Sequence, residues 1–175
     1  MLSLFEPHTA VLRRGKARVP AEFGRKVLLD EVDGGLVSRY AVLVGNPPDA
    51  EQLPASLVQH RARFGRPPAV LTADRAFHTA ANERLALEQG VRCSAIPQPG
   101  ALSSRRRAVE RQRGFRRAYR FRAGIEGRTS VLKRRFGLDR CRYHGEAGME
   151  RWVGVGILAH NLRQISQALA TRQAA

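Results

Sequence analysis

Cysteine is nearly absent from this chain of 175 residues: Cys93 and Cys141 stand far apart and form no CxxC or Cys/His spacing. That scarcity argues against a disulfide framework and against a structural zinc site, and makes a reducing compartment the expectation. Long hydrophobic runs are missing as well. The longest mostly apolar stretch, "WVGVGILA", is far too short to span a bilayer, which takes about 20 residues. The opening "MLSLFEPHTAVLRRGKARVP" has no basic region followed by an apolar one, so no secretory signal is expected. A cytoplasmic protein without a membrane partner is the resulting expectation.

Negative charge is the other scarcity. Fifteen acids face 31 lysines and arginines, for a formal charge of +16. Such an excess attracts polyanions, nucleic acid above all. It is also concentrated: residues 105–135 hold 13 Arg or Lys against Glu110 and Glu126, so +11 of the total lies in one stripe. A hydrophobic share of 43% separates the chain from a disordered basic tail, and the length suits one domain with a real core.

Turn chemistry divides what remains. Residues 23–31 and 36–44 read as strands joined by "VDGG", a strong hairpin signal. Asp49, three residues before Gln52, predicts a capping box for a helix over roughly 50–64. The run "AVLTA" before Asp74 reads as a buried strand. A helix over about 78–89, a short strand "VRCSAI", a long basic helix capped by Ser103 or Ser104, and a last helix over about 147–170 complete the order. This is an α/β pattern with a mixed sheet and helices on its faces. The histidines His8, His60, His78, His144 and His160 show no ligand spacing, and Trp152, Ile157, Leu158 and Leu162 look like packing on the last helix.

Within the basic helix, "YRFRAGIEGRTSVLK" sets one carboxylate, Glu126, among arginines. With Tyr119 at zero and about 100° per residue, Arg122, Glu126 and Lys133 fall within about 60° of it. Ala118, Phe121, Ile125, Leu132 and Phe136 form a neighbouring core-facing stripe. Arg116, Arg117, Arg120, Arg128, Arg134 and Arg135 lie opposite. Glu126 therefore sits at the border of the buried face, a position that suits a cleft. Two readings stay open. Glu126 pairs with Arg122 at i, i+4, worth a few tenths of a kcal/mol, and Asp74 caps a turn. Otherwise, the two acids are oxygen ligands for a hard divalent ion beside a phosphate backbone. Gly124 and Gly127 favour the second, because each costs roughly 1 kcal/mol in a helix interior.

The spacing Tyr119-(2)-Arg122-(3)-Glu126-(6)-Lys133 resembles the Y-(2)-R-(3)-E-(6)-K signature of one branch of the DDE transposases of bacterial insertion sequences. "LTADRAFHTAANE" resembles the segment around that family's second catalytic aspartate. "SLFEPHTAVLRRGKARVPAEFGRKV", "GNPPDAEQLP" and "GLDRCRYHGEAGMERWVGVGILAHNLR" resemble further segments, in the same order. The resemblance implies a ribonuclease-H-like fold, two Mg2+ (or Mn2+) ions, and cleavage and transfer of DNA at transposon ends. By position it makes Asp74 and Glu126 catalytic metal ligands. Tyr119, Arg122 and Lys133 would contact or orient DNA, and Arg105, Arg106 and Arg107 would hold its backbone. It also implies association with the nucleoid and admits a homodimer in a full-length assembly.

A DDE site needs a third carboxylate on a first, central strand. Residues 1–22 contain no aspartate; Asp30 and Asp33 sit at the hairpin end, and Asp49 follows a later strand. The expectation is therefore a partial catalytic domain over residues 1–175, lacking that strand and an N-terminal DNA-binding region. Its sheet should be discontinuous, and it should not catalyse strand transfer alone. The competing reading is a non-catalytic basic nucleic-acid-binding protein. A general metal-dependent nuclease fits the acids but not the Tyr-Arg-Glu-Lys spacing as well.

Overall fold

The computed structural model describes residues 9–16 and 19–174. They fall into two compact units: one of Met1–Pro47 with Arg128–Ala175, the other Pro48–Gly127.

The first unit begins with two antiparallel hairpins. Strands β1 (Ala10–Lys16) and β2 (Val19–Gly24) form the first, where the sequence had predicted no strand before Phe23. Strands β3 (Lys26–Val32) and β4 (Leu36–Leu43) form the second, in register Lys26↔Leu43 and Asp30↔Arg39, with an irregularity after Asp30. The predicted Asp-Gly-Gly turn joins them. Gly34 and Gly35 both have φ near +75°, at 78° and 73°, a region that side chains strongly disfavour.

A long final helix, named α5 below (Gly145–Gln173), serves the β3–β4 hairpin in two ways. Its apolar face supplies Val153 and Ile157 to a core with Val37 and Leu132. Its polar side chains complete the strand: Asn161 Oδ1 accepts from the Val37 N–H and its Nδ2 donates to the Val37 carbonyl, both at 2.9 Å. One amide thus substitutes for a neighbouring strand at a single residue, satisfying backbone groups that an edge would leave open. The buried His160 ring Nε2 lies 3.0 Å from the Gly35 carbonyl, fastening the turn as well.

The second unit is a parallel crossover. A 3-10 turn at Asp49–Gln52 runs into α1 (Leu53–Phe64). Asp49 lies inside that turn, whose cap is Pro48, rather than at a helix cap as expected; Pro54 at the start of α1 presets helical φ. Strand β5 (Val70–Thr72), α2 (Ala80–Glu88) and β6 (Cys93–Ala95) follow, with β5 and β6 parallel. Their core joins Leu53, Leu57, Ala86, Val91 and Ile96. The buried Asn82 amide donates to the Ala50 and Phe77 carbonyls, both at 2.8 Å, tying the two ends of this unit's loops together.

The basic helix is not continuous. Ser103 caps α3 (Ser104–Arg111), its hydroxyl accepting from Arg106 N, but Gln112 turns extended, with ψ of 143°. A second helix, α4 (Arg113–Phe136), then starts, and the Gln112 carbonyl accepts its first bond, from Arg116 N. The break lets Phe115 and Ala118 pack on Ala95, a small core that the helical period of one unbroken helix did not predict. Two expectations for α4 are corrected. Phe121 is 41% exposed rather than part of the core, and Arg128 turns inward to the buried Glu31, its Nη2 lying 2.6 Å from Oε1.

The mixed α/β class stands. The described strands form three two-stranded sheets, two antiparallel and one parallel, rather than one continuous sheet. No described helix is long and apolar enough to cross a membrane.

Candidate active site

Strand β5 delivers Asp74 to the mouth of a tight turn. Its Oδ1 accepts the Arg75 N–H at 2.7 Å, capping the 3-10 turn Arg75–Phe77, and this leaves Oδ2 for a partner outside the turn. The side chain is half exposed, at 50%. Further along this same unit, Tyr119 packs beside Ala95, Phe115 and Ala118, which sets the rotation of the first turns of α4. One turn on, Arg122 lies with its guanidinium carbon 5.5 Å from the Tyr119 ring centroid, a cation–π contact.

Arg122 Nη2 then meets both acids at once. It lies 3.1 Å from Asp74 Oδ2 and 3.4 Å from Glu126 Oε1. The two carboxylate oxygens are consequently no farther apart than those two distances laid end to end. Arg122 is only 17% exposed, while Glu126 is 70% exposed. The sequence offered two plain readings, a turn cap for Asp74 and an i, i+4 pair for Glu126. Both interactions form. What neither foretold is that they share one guanidinium, bringing together acids 52 positions apart in sequence.

Two carboxylates facing solvent are suitable donors for a hard divalent cation, which takes few protein oxygens and fills its shell with water and phosphate. On donor chemistry the pair fits such an ion. Among the described residues, no group of three or more His, Cys, Asp or Glu converges. The guanidinium between the acids supplies the neutralising charge in this arrangement.

The three arginines at the start of α3 have unlike surroundings. Arg106 is largely buried: Nη1 pairs with Glu83, Nε donates to Glu110 at 2.8 Å, and Nη2 donates to the Ile96 carbonyl at 2.6 Å. Burial opposes its charge, but Glu110 and Glu83 together raise its pKa above the ordinary value. Glu110 Oε1 also accepts from Gln98 N at 2.9 Å. Burial pushes this carboxyl up, yet the Gln98 N–H and Arg106, with His78 nearby, hold it below the usual range. Arg105 and Arg107 are exposed, Arg107 donating Nε to the Leu102 carbonyl at 3.2 Å. Within the trio, then, Arg106 locks α2, β6 and α3 together, and its neighbours face outward. The i, i+4 spacing of Arg106 and Glu110 was a visible signal for this lock; the part of Glu83 was not.

Within one unit the structure unites Asp74, Tyr119, Arg122 and Glu126; Lys133, which is exposed, belongs to the other unit. A model of the family described as transposase DDE domain matches residues 23–162. No curated protein and no solved structure matches the chain.

Proposed function

Since the chain belongs to the transposase DDE domain family, we propose that Asp74 and Glu126 are its catalytic carboxylates, acting on the phosphodiester backbone at the ends of a bacterial insertion sequence. The observation that carries this reading is their meeting on Arg122. Divalent ions, Mg2+ or Mn2+, supply activation of the attacking oxygen and stabilisation of the leaving one when bound between such acids. Asp74 and Glu126 would hold them, alongside a third carboxylate from outside the described cluster.

Arg122 has two duties under this proposal. Its charge keeps two acids close that would otherwise repel each other, and its guanidinium is available to a phosphate oxygen once a cation replaces it between them. Tyr119 fixes that guanidinium by its ring face. Lys133, Arg105 and Arg107 are proposed phosphate contacts, with Arg106 positioning its two neighbours through Glu83 and Glu110. The Tyr119, Arg122, Glu126 and Lys133 spacing supports the Y-R-E-K branch of the family. A ribonuclease-H-like arrangement, a homodimer holding two DNA ends, and inactivity of the 175-residue chain alone belong to the same proposal.

The test uses Mn2+ as the probe. Electron paramagnetic resonance of free Mn2+ is expected to show binding by the chain that weakens at least about ten-fold in Asp74→Asn and in Glu126→Gln. DNA affinity should not fall in either variant. Equal Mn2+ affinity in all three proteins would favour the rival reading, a non-catalytic basic binder in which Glu126 only pairs with Arg122.

A further inference from the structure

Resting on the DNA reading above, we propose that a cleft around Trp152 receives an unpaired nucleotide of DNA, its base against the indole and its flanking phosphates on Arg135, Arg140 and Arg142. The sequence had given Trp152 a packing role alone. Its surroundings show more. A cavity of about 400 Å³ opens here, with Trp152 and Val155 in its lining and Arg135, Arg140, Arg142 and Asp139 also around it. That volume is in the range of small-ligand sites, which start at about 300 Å³. All of these residues lie in the first unit.

The indole is held firmly. Its Nε1 donates to the Gly137 carbonyl at 2.7 Å, and the Tyr143 ring packs edge-on with centroids 5.2 Å apart. Gly137, at φ 72°, ends α4, and the Leu138 N–H returns to the Leu132 carbonyl at 3.2 Å to close the helix end. A Cβ at Gly137 would stand 3.1 Å from the indole Cζ2, so the bare glycine keeps the ring edge uncrowded. A fixed aromatic ring needs no reordering to bind a planar partner.

Charge identifies that partner. Three exposed arginines surround the cleft against one acid, and no described acid pairs with any of the three. An apolar aromatic lining inside a cationic rim is the combination that binds single-stranded nucleic acid, where bases stack and arginines track phosphates. A duplex keeps its bases stacked inside, so only an unpaired nucleotide reaches such a recess.

Trp152 is the chain's only tryptophan, so its emission reports this cleft. The intact chain is titrated with end-labelled oligothymidylate and with a duplex of equal length, reading label anisotropy and tryptophan emission together. The single strand is expected to quench emission in step with binding, while the duplex binds with little quenching. Arg140→Ala combined with Arg142→Ala, both exposed, should weaken the single-strand affinity about ten-fold, with the far-ultraviolet spectrum unchanged. Single-strand binding without quenching, equal quenching by the duplex, or unchanged affinity in the double variant overturns the cleft while leaving DNA binding intact. Absence of any anisotropy change with either DNA overturns both this inference and the reading beneath it.

Discussion

Arg122 and Arg128 stand six residues apart on α4, in different units, and each meets acid side chains. Their surroundings differ in one decisive respect. Glu31, the partner of Arg128, is 2% exposed, whereas both partners of Arg122 are at least half exposed. A buried carboxylate has only its cation to offset the loss of water, so that pair is committed to the fold. Exposed carboxylates keep their hydration and remain available to another cation. Burial, rather than pairing, separates the structural cluster from the chemical one.

The largest expected effect breaks the buried side of this comparison. Arg128→Ala leaves Glu31 without its cation and should cost about 3–5 kcal/mol, read as a lower urea midpoint. A loss below about 1 kcal/mol would mean that water or another group takes the place of Arg128 beside Glu31.

An intermediate effect concerns Glu110, which couples burial to a network in the second unit. Its folded pKa is depressed, so the stability it contributes is present above its unfolded value, near 4.5, and is lost as pH falls through the folded one. Glu110→Gln should flatten the acid limb of the stability–pH curve and cost about 1 kcal/mol at neutral pH. An unchanged acid limb would remove Glu110 from the lock. Arg106 remains charged throughout that window.

The smallest expected stability change is the sharpest test of the exposed side. Arg122→Ala should shift the unfolding free energy by no more than about 1 kcal/mol. Mn2+ affinity should nonetheless rise several-fold, because the guanidinium no longer competes for Asp74 and Glu126. Unaltered or weaker Mn2+ binding would show that Arg122 does not occupy a cation's place.

Much of this was legible beforehand where the signal is local. Asp33-Gly34-Gly35 predicted the β3–β4 turn because few other residues accept positive φ. The Ser103-Ser104 pair predicted a helix start because a serine hydroxyl satisfies an open N–H, and Ser103 is the one that does so. Asp74 at the end of an apolar run was visible as a strand exit. The break at Gln112 was not, since its cause is the packing of Phe115 and Ala118 on Ala95, a contact between distant segments. Nor was the inward turn of Arg128 legible: the helical wheel placed it opposite the core, without knowing that Glu31 would be buried there.

By itself, then, the sequence determined the excess of positive charge, the local turns and caps, and the spacing that puts Tyr119, Arg122 and Glu126 on one side of a helix, because these depend on chain geometry over a few residues. Only the tertiary structure decided which arginines face inward, that Asp74 reaches the same guanidinium as Glu126, and that Trp152 lines a cationic cleft. Those outcomes require segments far apart in the chain to meet, and their exposure follows from what surrounds them rather than from what precedes them.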